Sequence, residues 1–224
     1  MVEDSPPEAK EDGLTRGVGV TEDRSTLLRR GLHLEFLTVG WNIIEGIIAI
    51  AAGVTSGSVA LIGFGMDSFV ESISGSILIW RLREERNGAD EERIEHVERR
   101  AEWLVGVAFL VLAAYVALEA VRSLVGGEAP DASPVGIILT VVSIGVMLWL
   151  ARAKLGVGEA LGSRALIADS KQTRACWYLS VVALAGLMAN AALGWWWADP
   201  LAALGIAVLL IREGLEAVRG EDDD

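Results

Sequence analysis

Cysteine is nearly absent from this chain. A single residue, Cys176, occurs among 224, so no internal disulfide can form and the redox compartment is left unmarked. Positive charge is also scarce: 19 Lys and Arg stand against 31 Asp and Glu, a net charge of −12. With no basic face to neutralise phosphates, the chain is not expected to bind nucleic acid. The N-terminus lacks the charged, apolar and cleavage-site pattern of a signal peptide, so the first hydrophobic block is expected to serve as both signal and anchor. No GxxxxGK[ST] phosphate loop occurs, and nothing else in the sequence points to ATP-driven work.

Apolar residues fill the space those absences leave. They make up 52% of the chain and are gathered into long blocks, the composition of an integral membrane protein. The acids that set the net charge concentrate in Glu3 to Asp23, Glu84 to Glu102 and Glu221 to Asp224. Residues 1–28 therefore read as a disordered acidic tail, 29–219 as a membrane domain, and 220–224 as a short acidic end with no cytoplasmic domain after it. Six blocks are each long enough to cross roughly 30 Å of hydrocarbon at 1.5 Å per residue. They run near Leu34 to Val54, Val59 to Trp80, Ala101 to Leu124, Val135 to Leu150, Ala168 to Leu193 and Ala198 to Val218. The expected fold is all-α, a polytopic bundle of six transmembrane helices whose short links make neighbours antiparallel.

Basic residues predict the orientation. Arg29 and Arg30, the arginines between Arg81 and Arg100, Arg152, Lys154 and Arg164, and Arg219 all fall on one side, whereas the three opposite links hold no Lys or Arg. The positive-inside bias puts both termini in the cytoplasm and the chain in the cytoplasmic (inner) membrane. Trp195, Trp196 and Trp197 then sit at the outer interface as an aromatic belt.

Polar residues at membrane depth are costly, about 2.5–3.5 kcal/mol for an acid near the helix centre, and mark cavities or partners. The second block carries Asp67 and Glu71 at i,i+4, on one helical face. The fifth carries Gln172 and Cys176 at the same spacing, after Asp169 at the cytoplasmic entrance. Two carboxylates, an amide oxygen and a thiolate can enclose a four-coordinate divalent ion such as Zn, Fe, Mn or Co. Ordinary helix packing by Gln172 and Cys176 stands as the alternative. Asn42 and Glu45 on the first helix either line the same cavity, as entry or supporting groups, or hold helices together by polar contact. Glu119 and Arg122 read as a structural i,i+3 pair. Lys171 and Arg174 point away from the site face and snorkel. His96, with Glu92 and Glu95 in the acidic 81–100 loop, is a candidate for metal pre-binding or simply part of a solvated stretch.

The second-block sequence GSVALIGFGMDSFVESISG resembles the second helix of cation diffusion facilitator (cation efflux) transporters, in which an acid, three residues and another acid follow a run of small residues. ALIADSKQTRACWYLS resembles that family's fifth helix, and GWWWADPLAALGIAVLLIREGLEAVRG its sixth, with an Asp-Pro start. The resemblance covers roughly Arg30 to Arg219. It implies that Asp67 and Glu71 are metal ligands, that Gln172 stands where the family has a His, and that Cys176 stands where it has an Asp. Such an altered site should not inherit the preference of zinc-transporting members. Family members usually dimerise with help from a cytoplasmic domain, so a homodimer here is expected to use the membrane helices. No resident cofactor is expected; the partners are a transported divalent cation, protons and the bilayer.

The expected function, on that basis, is divalent cation efflux by alternating access coupled to proton antiport, since loading deprotonated ligands releases protons. The chain is not expected to be an enzyme. Two rivals are a non-transporting metal-binding or scaffold protein and an intramembrane aspartyl protease pairing Asp67 with Asp169. The second fits poorly, because Met66 interrupts a Gly-x-Gly-Asp match and no Tyr-Asp pair accompanies it.

Overall fold

Short links rich in glycine and serine divide the chain into helices. The computed structural model describes residues 24–86, 91–127 and 129–219. It contains α1 (Arg24–Ser56), α2 (Val59–Arg86), α3 (Glu91–Gly126), α4 (Pro134–Leu161), α5 (Arg164–Leu193) and α6 (Ala198–Arg219), with no strand among the described residues. Several helices outrun their apolar blocks. α1 begins at Arg24, inside the stretch read as tail, and α4 continues to Leu161 rather than ending near Leu150. The acidic stretch read as an 81–100 loop is mostly helix, with α2 reaching Arg86 and α3 starting at Glu91. The side chains of Glu92, Glu95 and His96, the tail before Arg24 and residues 220–224 lie outside the described residues.

Five helices are long and apolar enough to span a bilayer. The exception, α6, has 22 residues, about 33 Å at 1.5 Å per residue, so length is not its shortfall. Asp199 near its start and Arg212, Glu213 and Glu216 near its end charge it at both ends. The outer faces of the bundle expose Leu37, Ile44, Ile47, Val111, Ile138 and Val208, a surface suited to lipid.

Three tight antiparallel pairs, α1 with α2, α3 with α6 and α4 with α5, make the bundle, and α2 touches four of the other five helices. Lipid offers little drive for helix association, so close backbone approach carries it. A Cβ added at Gly46 would meet the Gly65 carbonyl oxygen at 2.9 Å, and one at Gly65 would meet the Gly46 carbonyl oxygen at 3.0 Å. α1 and α2 therefore touch backbone to backbone. Gly106 and Gly214 do the same for α3 and α6, each carbonyl 2.9 Å from the other glycine's virtual Cβ.

Helix ends are closed by side chains. Ser133 accepts from Gly136 N at 3.2 Å ahead of Pro134, and Gly162 (φ 67°) and Gly194 (φ 66°) turn the chain after α4 and α5. Asp199 of α6 closes α2: its carboxylate accepts from Ser58 Oγ at 2.5 Å, Val59 N at 2.9 Å and Ala60 N at 3.4 Å. The Asp-Pro start of α6 thus caps a helix distant in sequence. Asp199→Ala is expected to lower stability by about 1–2 kcal/mol, the usual cost of a lost cap. Thermal unfolding of the purified chain in detergent measures it, with Asp199→Asn recovering part of the loss; equal melting of Asp199→Ala and wild type would contradict the capping role.

Candidate metal centre

α2 sets Asp67 and Glu71 one turn apart on its inner face, and α5 meets them with Cys176. One donor atom from each of the three lies within 4.8 Å of the others, and all three side chains are buried. Cys176 Sγ donates to Asp67 Oδ2 at 3.0 Å. Asn42 Nδ2, from α1, donates to Glu71 Oε2 at 2.9 Å. Two oxygens and a sulfur converging on one point form a compact donor set for a divalent ion. No ion pair among the described residues engages Asp67 or Glu71.

Gln172 lies one turn before Cys176 and is only partly buried. Its Oε1 accepts from Ser74 Oγ at 3.2 Å. Glu45 sits beside the donor set: Ser68 Oγ donates to its Oε2 at 3.1 Å, and Ser143 Oγ of α4 donates to its other oxygen. Lys171 and Arg174 are exposed, as their helical position predicts, and Arg122 meets Glu119 at 2.5 Å.

A second buried cluster went unread in the sequence. Lys154 was grouped with the flanking basic residues, yet its side chain is fully buried on α4. Its Nζ meets Glu35 Oε2 of α1 at 3.0 Å, Asp169 Oδ2 of α5 and Thr173 Oγ1 at 3.2 Å. Glu35 is itself fully buried. The available signal was spacing: Glu35 precedes Asn42, and Asp169 precedes Cys176, by seven residues, two turns on the same helical faces. The cluster therefore lies about 10 Å along α1 and α5 from the donor set. Asp169 has an ammonium as its partner while Asp67 has a thiol, which removes the paired-aspartate geometry of a protease.

A helical bundle of membrane-spanning length that buries two carboxylates and a thiol around one point defines a polytopic membrane protein with a candidate cation site. Residues 36–220 match the cation efflux transmembrane domain, and the chain belongs to that family, whose members are transporters rather than enzymes. It is 28% identical over 184 residues to the magnetosome protein MamB of Magnetospira sp. (strain QH-2), an alignment covering 81% of this chain and 61% of that protein. It is 27% identical over 179 residues to an uncharacterized transporter of Methanocaldococcus jannaschii, covering 79% and 63%. Transmembrane protein 163 of Xenopus laevis is 26% identical over 141 residues, covering 63% and 49%. The chain thus spans less than two thirds of the length of these relatives.

Removing one member of a buried ion cluster strands the others, at a cost of about 3–5 kcal/mol. Lys154→Met is expected to destabilise the bundle by that order, read as a lower melting temperature in detergent. Replacing all three charges (Lys154→Met, Glu35→Leu, Asp169→Leu) should recover most of the loss; a single variant as stable as wild type would show that the ammonium is not balancing Glu35 and Asp169.

Proposed function

We propose that this chain moves divalent transition-metal cations across the membrane, with Asp67, Glu71 and Cys176 holding the ion. The observation that carries the reading is the convergence of three donors from two helices at one buried point with no ion pair of their own. Carboxylate and thiolate donors together suit borderline ions of the Zn, Fe, Mn and Co class. Three anionic donors leave one position of a four-coordinate shell to a neutral oxygen, and the amides of Gln172 and Asn42 are both at hand. Glu45 acts as a supporting group beside the site, while Asp169, which the sequence also offered as an entry group, pairs with Lys154 in the separate cluster.

Transport follows from alternating access, the bundle opening the site to one side at a time. Ligands bind metal deprotonated, so loading releases protons and reprotonation favours release. The chain is on this reading a proton-coupled antiporter working in the efflux direction. Lys and Arg cluster at the end of the bundle where α1 begins and α6 ends, which supports cytoplasmic termini in the cytoplasmic membrane. A homodimer, if formed by these residues, uses the membrane helices. The relatives' transporter names support the same class of activity for this chain.

A second reading, a metal-binding membrane protein that does not transport, uses the same residues. Reconstitution separates the two. Proteoliposomes loaded with a zinc- or cobalt-responsive dye under an imposed pH gradient should show metal flux with wild type, and Asp67→Ala should drop it at least about tenfold, the scale of losing one ligand interaction. Flux that survives Asp67→Ala rejects the site, and wild-type binding without flux favours the non-transporting reading.

A further inference from the structure

The donor set of Asp67, Glu71 and Cys176 is one ligand short of the four that a tetrahedral site takes. Sequence spacing offers Gln172, but its carbonyl oxygen already accepts from Ser74 Oγ at 3.2 Å, and the side chain is partly exposed. Asn42 differs on both counts. It is fully buried, and its Oδ1 has no hydrogen-bond partner. A buried acceptor left unmade costs about 1–3 kcal/mol. Among the described residues Glu35 Oε1, Trp41 Nε1 and Trp177 Nε1 also lack a partner, but of these four atoms Asn42 Oδ1 is the one whose side chain is hydrogen-bonded to the donor set.

The other half of the same amide is anchored at the site. Asn42 Nδ2 donates to Glu71 Oε2 at 2.9 Å. The oxygen and nitrogen of one amide sit about 2.3 Å apart, given the C=O and C–N lengths, so Oδ1 lies within ~5.2 Å of the Glu71 carboxylate. Resting on the three-residue site above, we propose that Asn42 Oδ1 is the fourth ligand of the transported cation. The amide then plays two parts. Its oxygen meets the ion while its NH2 holds Glu71, as ligand carboxylates are ordinarily oriented by a hydrogen-bonding neighbour. The ion is gripped by α1, α2 and α5 together, and the backbone contact at Gly46 and Gly65 carries the α1 ligand with the α2 pair.

Cobalt(II) tests this without any transport readout. In the purified full chain its visible d–d bands report coordination number, and a thiolate charge-transfer band reports Cys176. Asn42→Leu is expected to weaken Co²⁺ binding at least about tenfold, the lower bound set by loss of a mere outer partner, and to change the d–d envelope. Asn42→Asp keeps an oxygen ligand but replaces the NH2 with a second acceptor facing Glu71; it should bind Co²⁺ more tightly than Asn42→Leu and keep four-coordinate d–d bands. Gln172→Leu should leave both bands and affinity unchanged. The proposal is overturned if Asn42→Leu keeps the wild-type envelope, if Asn42→Asp loses binding as Asn42→Leu does, or if Gln172→Leu alone alters the spectrum. Absence of a thiolate charge-transfer band from the wild-type chain loaded with Co²⁺ instead overturns the three-residue site itself, an outcome visible before any Asn42 variant is made.

Discussion

Hydrocarbon offers no partner to a polar group, so every carboxylate inside this bundle has to be answered by the protein or by something the protein binds. Among the described residues five are buried: Glu35, Glu45, Asp67, Glu71 and Asp199. Two are answered at both oxygens, and a third, Glu35, is answered by a charge at one oxygen while its Oε1 has no hydrogen bond. Asp199 takes a hydroxyl and two helix-end amides, Glu45 takes two serine hydroxyls, and Glu35 takes the Lys154 ammonium. Asp67 and Glu71 fare worse, with a thiol, a weak donor, on one and a single amide on the other. At Asp67 and Glu71 the shortage of partners coincides with the converging donor set, which marks that point as the candidate binding site.

That point falls where helix packing is light. α1 is bound to α2, α3 to α6 and α4 to α5 over long faces, whereas α2 and α5 touch sparingly. Asp67 and Glu71 belong to one tight pair and Cys176 to another, so the donors can part without either pair unpacking. Gly46 and Gly65 matter to the chemistry for this reason: their backbone contact holds Asn42 against Glu71 while the α5 partner stands on a different body.

The all-helical, six-element architecture was legible in the length and spacing of the apolar blocks, because hydrophobic extent is a local property. The shared face of Asp67 and Glu71 was legible too, since i,i+4 spacing on a helix fixes it; that Cys176 rather than Gln172 meets them depends on how α5 packs against α2. The helix ends were not. Where polar residues continue a helix past its apolar block, as with Arg152 to Leu161 in α4, hydropathy stops before the helix does. Lys154 was misplaced by that boundary alone. The role of Asp199 in capping α2 and the contact of Asn42 with Glu71 depend on which helices become neighbours, a tertiary fact that no single block encodes.

The two buried clusters share a design that their spacing makes plain. Glu35 and Asn42 lie on one face of α1, Asp169 and Cys176 on one face of α5, each pair two turns apart. At the first level, a tethered ammonium joins α1, α4 and α5 and pairs with both carboxylates. At the second, α2 presents two acids and α5 a thiol, with Asn42 of α1 beside them, and none of the ion pairs among the described residues reaches them. Lys154 cannot leave its helix, so its cluster can only hold. On the proposed reading, a charge that arrives from outside balances the other cluster and departs again, so that carboxylates of similar burial serve structure at one level and exchange at the next.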